Sequence, residues 1–311
     1  MESLLMASRV VIPMAIMVCI GMLLRIFKVT DAPTMKKMDT VIFKLFMPML
    51  MFYNIYNTDF SLLTNVRYIL FGVAGLVIIF LAGLFVVPKF VKPMPTASAY
   101  SQAIMRSNYL IFGVAVAESI YGAGNIGLFS LMAAVAVPAF NALSAILLEA
   151  GRHGMADPKK LLMAIVKNPT VIATCIGLIV NFSGIVIPTM FLNVVRDISR
   201  MTTPMSFLSI GVTLSIGAIS KKGYLASAIG LRLVLIPLIF VTAAVLCGFR
   251  GQELCALTIL FAAPTAVSSY SMAVAMDADG EFAGQMVALT TVLCLPTIFL
   301  WTLVLNMMHL I

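Results

Sequence analysis

Long apolar runs, separated by short polar segments, occupy the chain from one end to the other. Each run is continuously apolar and does not alternate, which is typical of helices and excludes a membrane barrel. About 20 such residues span a bilayer as a helix, which pairs its own backbone donors and acceptors. The pattern predicts an all-α integral membrane protein with ten transmembrane helices: Val10–Ile26, Thr40–Tyr56, Val66–Val87, Ala97–Ile120, Ile126–Leu148, Pro169–Phe182, Met190–Ala218, Tyr224–Cys247, Gln252–Met276 and Glu281–Met308.

The composition excludes a water-soluble protein. Hydrophobic residues make up 62% of the 311 residues and charged residues only 10%, whereas soluble domains carry about 25% charged residues. The short connections leave no room for a soluble enzyme domain or a nucleotide-binding module. The chain has two histidines, and its five cysteines lie in apolar runs without a C-x-x-C pair. We therefore expect no metal site and no cofactor.

The net charge of +8 is distributed unevenly between the predicted loops. If the N-terminus is outside, 12 of the 20 lysines and arginines fall in inside loops, five fall outside and three fall within spans. Because inside loops of membrane proteins are enriched in Lys and Arg, this bias predicts that both termini are outside and that residues 152–167 are inside. It also accounts for the positive charge without a nucleic-acid partner.

The two halves of the chain share short matches at a nearly constant spacing of 155 to 158 residues. Residues 1–156 and 157–311 hold five predicted spans each, and an odd number of spans inverts the second half relative to the first. Inverted repeats are common in secondary transporters. Their symmetry allows the inward-facing conformation of one half to become the outward-facing conformation of the other half. The matches are Cys19-Ile20-Gly21 with Cys175-Ile176-Gly177, Pro33-Thr34-Met35 with Pro188-Thr189-Met190, Pro48-Met49 with Pro204-Met205, and Pro138 with Pro296.

Predicted spans four and nine carry helix-breaking or polar residues at matched positions, Asn108 and Pro264. Interrupted helices in corresponding places of two repeats form the substrate site of many transporters. Two half-helix N-termini, each with roughly half a unit of positive charge, would favour an anion there. Placing a cation such as Arg106 inside a membrane span costs free energy, so such a residue is a candidate for a functional role. The predicted substrate-binding residues are Asn108, Pro264, Thr265, Arg106, Ser268 and Ser269.

Each of these residues also has a purely structural interpretation, and the sequence leaves both open. Pro264 could be an ordinary kink, and Asn108 could make a hydrogen bond between helices. Arg106 could extend its side chain to the inner surface. Arg232 and Lys44, which also lie within predicted spans, are interpreted as snorkelling or packing charges.

At these positions the sequence resembles the auxin efflux carrier family, which includes the plant PIN-formed carriers and bacterial malonate or malate carriers. The chain lacks the plant carriers' long soluble loop, and Ser107 replaces their proline before the fourth-helix Asn, so a bacterial organic-acid carrier is the nearer match. The stretches that carry the resemblance are Asn108 through Tyr121-Gly122, Lys167-Asn168-Pro169 with Ile176-Gly177-Leu178, Ala263-Pro264, and Lys44-Leu45-Phe46-Met47-Pro48.

The resemblance implies a homodimer in the bacterial plasma membrane that carries a small mono- or dicarboxylate such as malonate or malate. It implies a scaffold of helices one, two, six and seven, and a transport unit of helices three to five and eight to ten that moves like an elevator. The coupling ion, H⁺ or Na⁺, stays open. One alternative is an intramembrane receptor or enzyme, although no pair of intramembrane acids is evident. The other is a sodium-coupled symporter of the bile-acid type, with ligands from Thr265, Ser268, Ser269, Ser271 and Glu118.

Overall fold

The computed structural model of the chain describes residues 2–57, 66–109, 113–121, 127–153, 166–167, 169–213 and 222–311. These residues form helices and one isolated bridge, with no strand among them, which confirms the all-α prediction for this part of the chain. The helices are α1 (Glu2–Ile26), α2 (Ala32–Val41), α3 (Met47–Tyr56), α4 (Val66–Phe85), α5 (Val87–Phe90), α6 (Met94–Met105), α7 (Val114–Tyr121), α8 (Gly127–His153), α9 (Pro169–Phe182), α10 (Thr189–Arg200), α11 (Thr202–Thr213), α12 (Lys222–Gly230), α13 (Ile236–Leu246), α14 (Gly251–Ala262), α15 (Ser268–Ala275) and α16 (Gly280–Met307). Two π turns, Ile42–Phe46 and Leu231–Leu235, join α2 to α3 and α12 to α13.

Several of these helices are long and apolar enough to cross a membrane. By length and composition, four of the described helices or helix pairs are candidate membrane spans. The number is five if α16 counts as one span, although it bends by 43° next to Pro296. Other apolar helices, such as α9 and α14, are shorter. The described residues therefore support a multi-pass membrane protein, while the count of ten and the inverted arrangement stay predictions. The qualifying spans are Ala32–Tyr56, Val66–Phe90, Leu131–Arg152, Gly223–Leu246 and the pair Gly280–Cys294 with Pro296–Met307.

Predicted spans four and nine are each broken into two helices. α6 ends at Met105 and α7 begins at Val114, while α14 ends at Ala262 and α15 begins at Ser268. Several predicted features fall outside the described residues: residues 110–112, Gly122, Ile126, the boundary at residues 156–157, Asn168 and Ala218.

The second predicted span begins earlier than the hydrophobic pattern indicates, at Ala32 instead of Thr40. Asp31 caps the helix, since its carboxylate accepts a hydrogen bond of 2.9 Å from the backbone N–H of Thr34, and Pro33 lies in the first turn. That hydrogen bond lowers the pKa of Asp31 below its ordinary value. As a consequence Asp39, which the predicted boundary leaves outside the span, lies on the helix and is completely buried.

Helices of the two halves pack on each other at glycines. α1 packs along α11, and a Cβ atom added to Gly211 would lie 2.1 Å from the carbonyl oxygen of Val18 and 2.9 Å from the Cα of Gly21. The two backbones therefore touch, as small residues permit in membrane helices. Gly177, the sequence match of Gly21, lies in α9 and faces Ile55 of α3. Matched glycines thus occupy comparable contacts, as an internal repeat would produce.

The two broken helices lie at the centre of the largest buried cluster. Residues 96–105 of α6 and 254–262 of α14 are all buried, even where the side chains are polar. The outer helices instead expose large apolar side chains, with Leu246 of α13 82% and Ile179 of α9 63% exposed. An apolar exterior around a partly polar interior is what lipid contact requires.

Candidate functional site at the crossover of the broken helices

The two breaks cross and are joined through their backbones. The N–H of Asn108 donates to the carbonyl oxygen of Pro264 at 2.8 Å, and the N–H of Ala266 donates to that of Arg106 at 3.0 Å. These hydrogen bonds form an isolated antiparallel bridge between the breaks. The matched sequence positions, Asn108 and Pro264, are therefore in direct contact.

Thr265 secures the end of α6 across the crossover. Carbonyl groups in the last turn of a helix lack a helical donor and need another partner. The hydroxyl of Thr265 donates to the carbonyl of Ala103 at 2.9 Å, and the N–H of Thr265 donates to the hydroxyl of Thr290 at 3.1 Å. Both polar groups of Thr265 are thus used to hold the two breaks and α16 together.

Arg232, in the second π turn, supplies further hydrogen-bond donors to backbone carbonyls at the crossover. Its guanidinium donates to the carbonyl of Ala263 at 2.6 and 2.9 Å, to that of Ile104 at 3.1 Å and to that of Leu260 at 3.5 Å. Pro264 has no N–H, so Leu260 lacks its usual helical donor. Arg232 is completely buried, so of the two interpretations, a snorkelling or a packing charge, only the packing charge agrees with the structure. The partial negative charges of two helix C-termini face its cation.

Arg106 is buried beside the same crossover with much weaker partners. It is 3% exposed, so it does not reach the inner surface. Its guanidinium donates to the amide oxygen of Asn141 and to the sulfur of Met272, and the amide nitrogen of Asn141 donates to the sulfur of Met51. Sulfur is a weak acceptor, and no carboxylate of the described chain pairs with Arg106. The site therefore holds a buried positive charge without a counter-ion among the residues that the structure describes.

A small cavity of about 60 Å³ lies against these groups. Ser107 and Asn108 both line it, and the hydroxyl of Ser107 and the amide nitrogen of Asn108 are buried without a hydrogen-bond partner among the described residues. Leaving a buried donor unpaired costs about 1–3 kcal/mol, which a ligand with acceptor atoms would offset. The lining residues are Leu50, Met51, Arg106, Ser107, Asn108, Val137, Phe140, Ala266 and Ser268.

The structure sorts the predicted site residues into two groups. Arg106, Asn108 and Ser268 line the cavity, whereas Pro264 and Thr265 hold the crossover together. Ser269 is completely buried, with an unpartnered hydroxyl, but does not line the cavity. The side chain of Glu118, named for the sodium alternative, lies outside the described part.

The sequence interpretation missed Asn141, Met51 and the role of Arg232. Asn141 had a signal, since it is a strongly polar residue within an otherwise apolar span, three positions after Pro138. Met51 had none, because it is one of 23 methionines. Within the described ranges, no group of three or more His, Cys, Asp or Glu side chains is placed to hold a metal ion.

Comparison with known proteins indicates a transport role for the chain. No curated protein matches the chain. A family model described as membrane transport protein matches residues 6–302, nearly the whole of the 311 residues. The chain therefore belongs to the membrane transport protein family, that of the auxin efflux carriers, and is a multi-pass membrane transporter.

Proposed function

We propose that the chain is a secondary transporter that carries a small organic anion, a mono- or dicarboxylate such as malonate or malate, through the crossover cavity. One observation carries this proposal. The same cavity is lined by Arg106, a buried cation without a counter-ion among the described residues, and by Ser107 and Asn108, which each hold a buried donor without a partner there. A carboxylate offers the missing negative charge and several strong acceptors. A cation or an apolar ligand would leave all three groups uncompensated.

The size of the cavity favours a compact substrate. Its 60 Å³ leave room for only a few water molecules. A dicarboxylate would enter after a modest widening, whereas a bulky aromatic acid such as auxin would need a much larger rearrangement. The cavity therefore supports the organic-acid branch of the family resemblance.

The position of the cavity supports an elevator mechanism. In the proposed division, Arg106, Asn108 and Ser268 belong to the moving transport unit, while Leu50 and Met51 of α3 belong to the scaffold. The substrate site would then lie on the boundary between the two units. Movement of the transport unit along the scaffold would carry the bound anion and expose it on the other side. We place this carrier, as a homodimer, in the bacterial plasma membrane with both termini outside.

The sodium-symporter alternative has weaker support from the side-chain contacts. The hydroxyl of Thr265 donates to Ala103, and the hydroxyl of Ser271 pairs with that of Ser206 at 3.2 Å. Ser268 faces the anion cavity instead. Thr265, Ser268 and Ser271, three of the residues named as sodium ligands, therefore lie in different surroundings.

Uptake into proteoliposomes tests the proposal with labelled malonate, malate and acetate, and with choline as the cationic control. Asn108→Ala should weaken anion uptake about 10-fold or more, because a hydrogen bond to a charged group contributes about 1.5–3 kcal/mol. Arg106→Gln should reduce uptake of the dianions malonate and malate more than that of acetate, because one favourable charge contact is lost. Asn193→Ala, on an exposed position of α10, serves as the matched control and should transport normally.

The outcomes separate the parts of the proposal. Preference for choline over every anion would overturn the anion site. Normal transport by Asn108→Ala would remove the crossover cavity as the site. Unchanged dianion preference in Arg106→Gln would remove only the charge contact assigned to Arg106.

A further inference from the structure

A second buried ionisable group, Asp39 of α2, lies at another contact between the proposed scaffold and transport unit. Its side chain is completely buried. The hydroxyl of Ser209, on α11, donates to one carboxylate oxygen at 3.0 Å. The other carboxylate oxygen has no hydrogen-bond partner, and no Lys or Arg of the described chain pairs with Asp39. None of the contacts of the anion cavity involves this residue.

Hydroxyl groups from both sides of the contact surround Asp39. Tyr270 and Ser271 of α15 lie beside its carboxylate. The hydroxyl of Tyr270 forms a hydrogen bond of 2.7 Å with that of Thr213, and the hydroxyl of Ser271 forms one of 3.2 Å with that of Ser206. The polar cluster therefore links α2 and α11 to α15, the half-helix that begins at the crossover.

A large cavity reaches this cluster. Its volume is about 710 Å³, and its walls include Thr40, the neighbour of Asp39 in sequence, together with Thr213 and Tyr270. Asp277 and Glu281 line the same cavity, so its walls are partly acidic. Asp39 itself does not line this space, whereas its sequence neighbour Thr40 and the cluster residues Thr213 and Tyr270 do.

The groups around Asp39 leave its charge uncompensated. α2 packs against α11, α15 and the first π turn, and α11 presents only hydroxyls to the cluster. A buried carboxylate without a paired cation costs several kcal/mol, so this packed arrangement favours the neutral acid. The titratable or charged groups of the described surroundings are Tyr270 on α15, the exposed Lys37 on α2, the exposed Lys44 in the π turn, and Asp277 and Glu281 at the cavity.

We propose that Asp39 is a proton-binding site that couples transport to the proton gradient, an inference that rests on the proposed anion-transport function. With α15 packed against α2 and α11, Asp39 carries the proton. When α15 moves with the transport unit, water from the cavity reaches Asp39. The O–H bond of the acid then breaks, the proton passes to water, and the carboxylate keeps the electron pair. The charged carboxylate opposes repacking until it binds a proton again.

Proteoliposomes can separate coupled transport from simple exchange. One pH unit across the membrane corresponds to about 1.4 kcal/mol per proton, so one coupled proton can drive up to about 10-fold accumulation of malonate with the membrane potential held at zero. Asp39→Asn should lose this accumulation and the accompanying pH change inside the vesicles, read with trapped pyranine. Exchange of external labelled malonate for internal malonate should persist, because asparagine resembles the protonated acid and permits packing.

A second variant keeps the test decisive if Asp39→Asn does not fold. Ser209→Ala removes the hydroxyl that donates to the charged carboxylate, so the pH midpoint of gradient-driven uptake should move to higher pH. Ser199→Ala is the matched control, because this buried serine donates only to Arg196 within its own helix region, and its midpoint should not move.

Four results would contradict parts of the scheme, each in a distinct way. Accumulation by Asp39→Asn at the wild-type level, or an unchanged midpoint in Ser209→Ala, would overturn the role of Asp39. If the wild type exchanges malonate but accumulates it only when a sodium gradient is applied, proton coupling is overturned. The anion-transport proposal then stays intact. Absence of exchange for malonate, malate and acetate would instead count against the proposed function on which this inference rests.

Discussion

Arg232 is expected to determine whether the crossover forms at all, and Arg232→Met tests this. Methionine fills much of the same volume in the core but has no hydrogen-bond donor. The substitution removes every hydrogen bond from residue 232 to the carbonyls of Ala263, Ile104 and Leu260. These carbonyls end two different half-helices, so the substitution unpairs both sides of the crossover.

The size of the effect follows from the carbonyls left behind. A buried polar group that loses its partner costs about 1–3 kcal/mol. Ala263 and Ile104 lose contacts of 2.6 to 3.1 Å, whereas the contact to Leu260, at 3.5 Å, is too long to contribute much. Leaving two carbonyls without a donor should lower the free energy of unfolding by about 2–6 kcal/mol. Part of this loss is offset, because the variant no longer has to bury a cation away from water.

The chain contains a convenient reporter for this measurement. Trp301 is its single tryptophan, and its indole N–H lies 3.5 Å from the carbonyl of Leu233, next to Arg232 in the π turn. Thermal unfolding of the purified protein in detergent, followed by tryptophan fluorescence, should show a transition lowered by roughly 5 °C or more for Arg232→Met. Arg250→Met is the matched control, because Arg250 also donates to backbone carbonyls but lies at an exposed helix end. Its transition should change little.

Equal unfolding temperatures for Arg232→Met and Arg250→Met would refute the argument that Arg232 holds the half-helices together. A lowered temperature for Arg232→Met with a normal temperature for Arg232→Lys would show that the charge matters and the number of donors does not. We expect instead that Arg232→Lys also lowers the unfolding temperature. The single ammonium of lysine cannot reach the carbonyls of both half-helices at once, as the forked guanidinium of arginine does.

Three further predictions follow from the fold. Reporter fusions at Ile311 and at Gly154 should report opposite sides of the membrane, and the same side for both would contradict the ten-span topology. Gly211→Ala should lower the unfolding temperature because its new Cβ would overlap the backbone of α1, while Gly230→Ala, whose Cβ meets nothing within 4 Å, should not. Asp31→Ala should be less stable than the wild type at neutral pH. Because the pKa of Asp31 is lowered in the folded protein, this difference should begin to shrink as the pH falls below about 4 and should be lost once the pH passes below the lowered pKa. A pH-independent difference would rule out a charged cap.

The sequence indicated the position of the crossover because its signals are local. Asn108 and Pro264 stand at matched positions in two apolar runs, and a proline removes a donor whatever surrounds it. The start of α2 had an equally local signal in Asp31 and Pro33, which the hydrophobic pattern alone did not reveal. That the two breaks cross each other was implied only by the family resemblance, and the spacing by itself did not show it.

The partners of the buried charges depend instead on tertiary contacts. Arg232 reaches carbonyls 31 and 128 positions away in the sequence, and Asp39 meets a serine 170 positions away. A sequence cannot show which backbone carbonyls a side chain will contact, because every residue has a carbonyl. For the same reason Thr265 looked like a ligand for substrate, while its hydroxyl in the structure holds the carbonyl of Ala103.

The two buried arginines at the crossover show how the same residue type takes different roles. The donors of Arg232 are directed at helix-terminal carbonyls, so its charge is stabilised by the fold and its loss should cost stability. The donors of Arg106 meet one amide oxygen and one sulfur, so its charge is stabilised poorly by the fold. Burying such a charge is costly, and natural binding sites commonly sacrifice stability in this way. Arg106→Gln should therefore unfold at the same temperature as the wild type or at a higher one, while its uptake of dianions falls more than its uptake of acetate. A marked loss of stability in Arg106→Gln, measured by the fluorescence of Trp301, would assign Arg106 to the scaffold of the crossover instead of to the substrate.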